Sequence, residues 1–278
     1  MTRMFPLVGC QVGRCNFVLF VLAIFAGLPA HAQDWSQPWT NRCLNFDFAT
    51  RSITNLCPPP APRFWTAMAE LPDNGGPGHP TIFPSGVAML DGYECPTAAP
   101  CGPTNTILGN DFWVWQGSQN GCWINVTSQY PYRPTPRAGA TMALDRSRNE
   151  IVLFGGYGIA PGTKVTAYLD DTWVFDFVHG WQGPFYPSPR PEPRYDAAMS
   201  FNETGTLQRV ILVNGSAPAE TQAGGFAWDT WEWIGDSKTW KFDFIIDQPA
   251  GRGGARMATV PSIGTILFGG FPRWMAPQ

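Results

Sequence analysis

A segment that recurs within one chain constrains the fold more than any single motif, because every copy must solve the same packing problem. The reference copy here is Arg137–Trp181. It reads R-A-G-A-T-M-A-L-D-R-S-R-N-E-I-V-L-F-G-G-Y, then a loop of small residues, then D-D-T-W-V-F-D-F-V-H-G-W. Two apolar runs, Ala140–Leu144 and Ile151–Phe154, flank the polar hexapeptide Asp145–Glu150, the pattern of a hairpin. Gly155-Gly156 closes the second run. Thr172–Phe177 alternates Trp173, Phe175 and Phe177 with polar or smaller residues, the period of a half-buried strand, and Trp181 marks a short fourth strand.

Asp171-Thr172-Trp173 is preceded by Asp111-Phe112-Trp113 and followed by Asp229-Thr230-Trp231, at intervals of 60 and 58 residues. A further tryptophan recurs at Trp123, Trp181 and Trp240. Pro136-Arg137, Pro193-Arg194 and Gly251-Arg252 open three units 57 and 58 residues apart. Leu153-Phe154-Gly155-Gly156 returns as Leu212-Val213-Asn214-Gly215 and as Leu267-Phe268-Gly269-Gly270. The first copy is the most divergent, with Gly86–Leu90 as its second strand and Asp91-Gly92-Tyr93 in the place of Gly155-Gly156-Tyr157. After Gly269-Gly270 no further D-x-W strand follows. Near the N-terminus, Leu44–Phe48 (L-N-F-D-F) and Phe64-Trp65 read as third and fourth strands without a first pair.

The recurring residues have physical roles. Glycines after the second strand allow positive φ and close chain approach, and each tryptophan supplies a large apolar area between sheets. Arg137, Arg194 and Arg252 are expected to hydrogen-bond carbonyls or an aspartate of the neighbouring unit. Asp170-Asp171 alone would read as a metal pair, but the second aspartate recurs in each copy, which favours a turn cap. No metal ligand set and no cofactor is expected.

Residues 1–32 carry Arg3 and Arg14, an apolar stretch Asn16–Leu28 and the small-x-small triplet Ala30-His31-Ala32, the three regions of a secretory leader cleaved after Ala32. A secreted or periplasmic protein without a membrane anchor is the expectation. Removing the leader leaves 16 basic and 21 acidic residues, a net charge of −5, which argues against a nucleic-acid partner. Thirteen Trp, 30 Gly and 28 Pro fit an aromatic, turn-rich, all-β domain over residues 33–278. Export permits disulfides. Local pairing of Cys43 with Cys57 and of Cys95 with Cys101 is the economical choice, leaving Cys122 over; spacing does not fix connectivity.

Taken together, the Gly-Gly turn, the D-x-W strand and the following tryptophan resemble the kelch repeat. The resemblance implies a kelch-type β-propeller of four-stranded antiparallel blades. Three complete units would lie at about 66–125, 126–183 and 184–245, and a split or truncated one at 250–278 with 34–65. The period exceeds the kelch norm of about 50 residues, and the excess falls in loops. Either Arg252–Gly270 pairs with Leu44–Trp65 to close a four-bladed ring, or the chain is part of a larger propeller. The size of most kelch propellers favours the second. Kelch units also resemble the central domain of galactose oxidase, whose copper site needs two His, two Tyr and a Cys. Only His79 and His179 remain after the leader, in places that do not converge, so copper oxidase activity is not expected. A sialic-acid mutarotase shares the fold, but none of its distinctive residues stands out here.

In such a unit the loop between strands two and three and the linker to the next unit emerge on one face. These segments carry Tyr130, Tyr132, Arg133, Tyr168, Tyr186, Arg190 and Phe226, residue types enriched at binding surfaces. The expectation is therefore a binding module for a protein or carbohydrate ligand, with no catalytic residue. The alternative is a carbohydrate-active enzyme, mutarotase- or oxidase-like, with its site at the channel mouth.

Overall fold

The computed structural model describes residues 44–47, 52–55, 60–71, 86–95, 106–116, 122–203, 208–218, 225–244, 249–260 and 263–272. The leader, Cys43, Cys57, Cys101 and His79 lie outside them. Among the described residues every regular element is a β-strand and every pairing is antiparallel.

The first unit is a four-stranded sheet of β4 (Ala67–Glu70), β5 (Gly86–Leu90), β8 (Phe112–Gln116) and β9 (Cys122–Asn125). It continues into a three-stranded sheet of β3 (Arg63–Phe64), β6 (Tyr93–Glu94) and β7 (Ile107–Leu108). In the second unit the two parts are fused. There β10 (Arg137–Ala138) and β11 (Thr141–Asp145) both pair with β12 (Glu150–Ile159), followed by β13 (Thr166–Asp176) and β14 (Gly180–Phe185). The third unit orders β15 (Ala198–Asn202), β16 (Arg209–Val213), β17 (Thr230–Ile234) and β18 (Thr239–Asp243). Two further sheets have two strands each: β19 (Arg252–Val260) with β20 (Gly264–Pro272), and β1 (Leu44–Asp47) with β2 (Ser52–Asn55).

Arg63 and Phe64 pair with β6, so Phe64-Trp65 belongs to the first complete unit and not to a split one. The reason is Arg63 itself. Its guanidinium grips Asp111 at 2.6 and 2.9 Å, as Arg137 grips Asp171 at 2.7 and 2.8 Å. Arg194 holds Asp229 in the same bidentate way. The indole N–H of Trp113, Trp173 and Trp231 donates to the same carboxylate in each unit. Each arginine also donates from Nε to the carbonyl two residues before it. The expected partners were carbonyls or an aspartate of the neighbouring unit, and carbonyl bonds are present. The aspartate found lies in the arginine's own unit; in the second unit the guanidinium reaches from β10 across β12 to Asp171 of β13. The link between units is instead the backbone: the carbonyls of Arg137, Arg194 and Arg252 accept from Gly92, Gly156 and Gly215 of the preceding unit.

Two cores lie between successive sheets. One holds Leu90, Phe112 and Val114 of the first unit against Met142, Leu153, Trp173 and Phe175 of the second. The other holds Val152, Phe154 and Val174 against Met199, Leu212, Trp233 and Trp240 of the third. The alternation of each strand sends one set of side chains to each neighbour.

Candidate functional site: the mouth of a cavity shared by four units

The residue two places after each unit's arginine has left-handed backbone: Trp65 (φ 56°), Gly139 (65°), Asp196 (54°) and Gly254 (72°). Glycine takes this region freely, whereas a non-glycine residue there is uncommon. These four positions are joined in series. Gly139 N–H donates to Trp65 O at 2.8 Å, Asp196 N–H to Gly139 O at 2.8 Å, and Gly254 N–H to Asp196 O at 3.0 Å. The inner strands of the four units are thereby held side by side around one space. A cavity of about 370 Å³ is lined by residues 65–68, 139–142, 196–199 and 256–257.

Aromatic rings form an unbroken arc at this mouth. Phe64 stacks on Tyr93 at 5.3 Å, and Tyr93 meets Trp65 at 5.9 Å. Trp65 meets Tyr195 at 5.7 Å, Tyr195 meets Tyr168 at 5.5 Å, and Tyr168 meets Tyr157 at 5.6 Å. Phe64 and Trp65 are 39% and 44% exposed, and the four tyrosines are half-buried. Asp196 and Arg256 add a carboxylate and a guanidinium 3.8 Å apart. Burial pushes the Asp196 carboxyl above its ordinary range, and Arg256 offsets part of that.

Of the surface residues expected from sequence, Tyr168 joins this arc. Tyr186 and Arg190 pair with each other, the guanidinium 5.5 Å from the ring centre, while Arg190 Nε donates to Asp170 at 2.7 Å. Tyr132 is exposed on its linker, with its hydroxyl donating to the Gly183 carbonyl and its ring 5.5 Å from Trp173. Tyr130 is half-buried against Phe112 and Phe175, and Arg133 donates to the Asn110 and Tyr130 carbonyls, so both fasten the linker. Phe226 is half-buried beside Gly253. The seven do not converge on one site.

The residues missed are Phe64, Trp65, Tyr93, Tyr157, Tyr195, Asp196 and Arg256. Their signal was adjacency to the repeat itself. Phe64-Trp65 and Tyr195-Asp196 directly follow a unit arginine, and Tyr93 and Tyr157 directly follow the glycine turn.

The structural repeat residues are buried as their roles require: Arg137, Arg194, Trp173, Trp181, Trp231 and Trp240 are all core. Gly155, Gly156, Gly215, Gly269 and Gly270 all have positive φ. Cys95 is buried and disulfide-bonded; Cys101 lies outside the described residues, so their pairing remains a proposal. Among the described residues no three His, Cys, Asp or Glu side chains form a metal-holding group. No protein-family model matches the chain, and no curated protein matches it.

Proposed function

We propose that the chain is an exported kelch-type β-propeller that binds a glycan at the mouth of the shared cavity. The observation that carries this reading is the six-ring arc beside Asp196 and Arg256. The C–H faces of a sugar ring stack on aromatic rings, and its hydroxyls donate hydrogen bonds to a carboxylate and accept them from a guanidinium. Two of the four left-handed positions, Trp65 and Asp196, carry side chains where glycine would relieve strain, and both line the mouth. Backbone held in such conformations clusters at active sites and ligand clamps.

The enzyme alternative has Asp196 in its favour, a carboxyl pushed up by burial. Mutarotation needs an acid and a base placed together, and among the described residues lining this cavity Asp196 is the one carboxylate and histidine and cysteine are absent. Binding is the better-supported reading. The partner would be a carbohydrate met in the secreted or periplasmic space, with no nucleic acid and no membrane anchor after cleavage at Ala32.

The finer fold reading is four units around one axis. Its support is the cavity lined from all four and the position of the β1–β2 hairpin. That hairpin stands before Arg63 as β13–β14 stands before Arg194 and β17–β18 before Arg252. It supplies the outer two strands that β19–β20 lacks.

A glycan array followed by tryptophan-fluorescence titration tests the function. Trp65→Ala and Tyr195→Ala should each remove binding while changing stability by less than about 1 kcal/mol, since both side chains are solvent-reachable. An array with no ligand, or a Trp65 variant that binds unchanged, would overturn the reading.

A further inference from the structure

Counting from the arginine that opens each unit, the sixth residue is always methionine: Met68 in R-F-W-T-A-M, Met142 in R-A-G-A-T-M, Met199 in R-Y-D-A-A-M and Met257 in R-G-G-A-R-M. Two residues further on the identity varies, through Glu70, Leu144, Phe201 and Thr259. Among the described residues the one other methionine is Met89. An apolar contact accepts leucine nearly as well as methionine. Sulfur kept at one register position, beside a position that changes freely, therefore calls for more than packing.

The structure gathers the four. The cavity of about 370 Å³ is bounded by all four methionines and the residues before them. A second cavity, of about 350 Å³, is bounded by the same four and the residues after them. The methionines thus form a collar between two spaces that follow one another along the inner strands. Met142 and Met199 are 5% and 6% exposed; Met142 belongs to the core between the first and second units and Met199 to the core between the second and third. Among the described residues, no cysteine or histidine lines either cavity. Asp196 lies at one end, and Glu70 and Glu203, bridged by Arg146 at 2.6 and 3.1 Å, lie at the other.

We propose that this collar is a binding site for a soft monovalent cation of the Cu(I) and Ag(I) class, held by thioether sulfurs. A thioether is a neutral, polarizable donor that suits soft ions and is a poor ligand for Ca²⁺ or Mg²⁺, which take oxygen. Zn²⁺ prefers thiolate, imidazole or carboxylate. The site shares the first cavity with the glycan reading but is argued from the methionines and not from the aromatic rings.

Ag(I) is the probe, because it needs no reductant. The purified protein, carrying Cys122→Ser to remove the cysteine left over from the two expected pairs, is labelled with methyl-¹³C methionine and titrated in chloride-free buffer. At one equivalent, the methyl signals of at least three among Met68, Met142, Met199 and Met257 should shift, with Met89 unmoved and Zn²⁺ without effect. The double variant Met142→Leu, Met199→Leu should keep its circular dichroism and bind Ag(I) at least about tenfold more weakly, since even outer-shell changes cost that much at metal sites. Fewer than three shifted signals, equal shifts with Zn²⁺, or unchanged affinity in a folded double variant would overturn the proposal. The methyl spectrum of the protein with its methionines intact decides the matter if the double variant fails to fold.

Discussion

An arginine whose guanidinium is held by one carboxylate and two backbone carbonyls, the same carboxylate also accepting an indole N–H, is the residue on which the first three units are built. Arg137 shows it most fully: its NH1 reaches Gly155 O and Asp171, its NH2 reaches Asp171, and its Nε reaches Thr135 O. Removing one partner of such a buried pair leaves the other charged and dry, at a cost of about 3–5 kcal/mol. Urea unfolding of Arg137→Ala should show that loss. Arg252 is half-buried and bonds only carbonyls among the described residues, so Arg252→Ala should lose about 1 kcal/mol, the net worth of ordinary hydrogen bonds. At Asp229, burial pushes the carboxyl up, but the bonds from Arg194 and Trp231 outweigh it and the result is lowered. Asp91 has no such help. It is buried with both carboxyl oxygens unpartnered, and burial raises it well above its ordinary value despite Arg137, Arg133 and Arg63, with Asp111 adding to the rise. Below the ordinary aspartate range the group is neutral in both folded and unfolded chains and costs nothing. As pH rises past that range the unfolded chain ionises first and stability is lost. Asn214 occupies the equivalent position with φ 62°, against 53° for Asp91, so an amide fits there. Asp91→Asn should therefore raise the melting temperature at pH 7 and leave it nearly unchanged near pH 3.5.

At the scale of strands, Trp173 is the test of register. It lies 2% exposed opposite Leu153, with its N–H on Asp171 at 2.8 Å. Trp173→Ala should cost about 3–5 kcal/mol in denaturant unfolding, and a loss below about 1 kcal/mol would mean the strand is misplaced. The strands of the second and third units were legible in the sequence because apolar alternation, the glycine turn and D-x-W agreed there. The first unit was harder to place. Its opening arginine stands 74 residues before Arg137, and the excess hid the match between R-F-W-T-A-M and R-A-G-A-T-M. The candidate site was less legible still. Aromatic residues in long loops drew attention, yet Tyr130 and Arg133 fasten a linker while Trp65 lines the cavity and Tyr195 packs on its ring. Ring contacts between residues 64, 93, 157, 168 and 195 depend on which units are neighbours, and no local pattern carries that. The disulfide at Cys95 is open to peptide mass mapping without reduction: a Cys95–Cys101 link is expected, and a Cys95–Cys43 link would refute local pairing.

Over the whole repeat array, equivalent residues differ in a way that points to what covers them. Phe154 and Val152 are fully buried against the third unit, whereas their counterparts Phe268 and Ile266 in β20 are 82% and 48% exposed. Met68 is exposed where Met142 and Met199 are buried. Both differences disappear if β19–β20 and the first unit face one another, with β1–β2 as the outer half of the same sheet. In that arrangement, matching Leu44–Asp47 to Trp173–Asp176 would put Leu44 opposite Leu267, Asn45 opposite Ile266 and Phe46 opposite Thr265, as Trp173, Val174 and Phe175 stand opposite Leu153, Val152 and Ile151. Amide hydrogen exchange across β20 measures this directly. Four units closed around one cavity predict that β20 amides are protected as strongly as those of β12, because both strands are then paired on two sides. Exchange of β20 at the rate of an exposed sheet edge, with β12 protected, would contradict it.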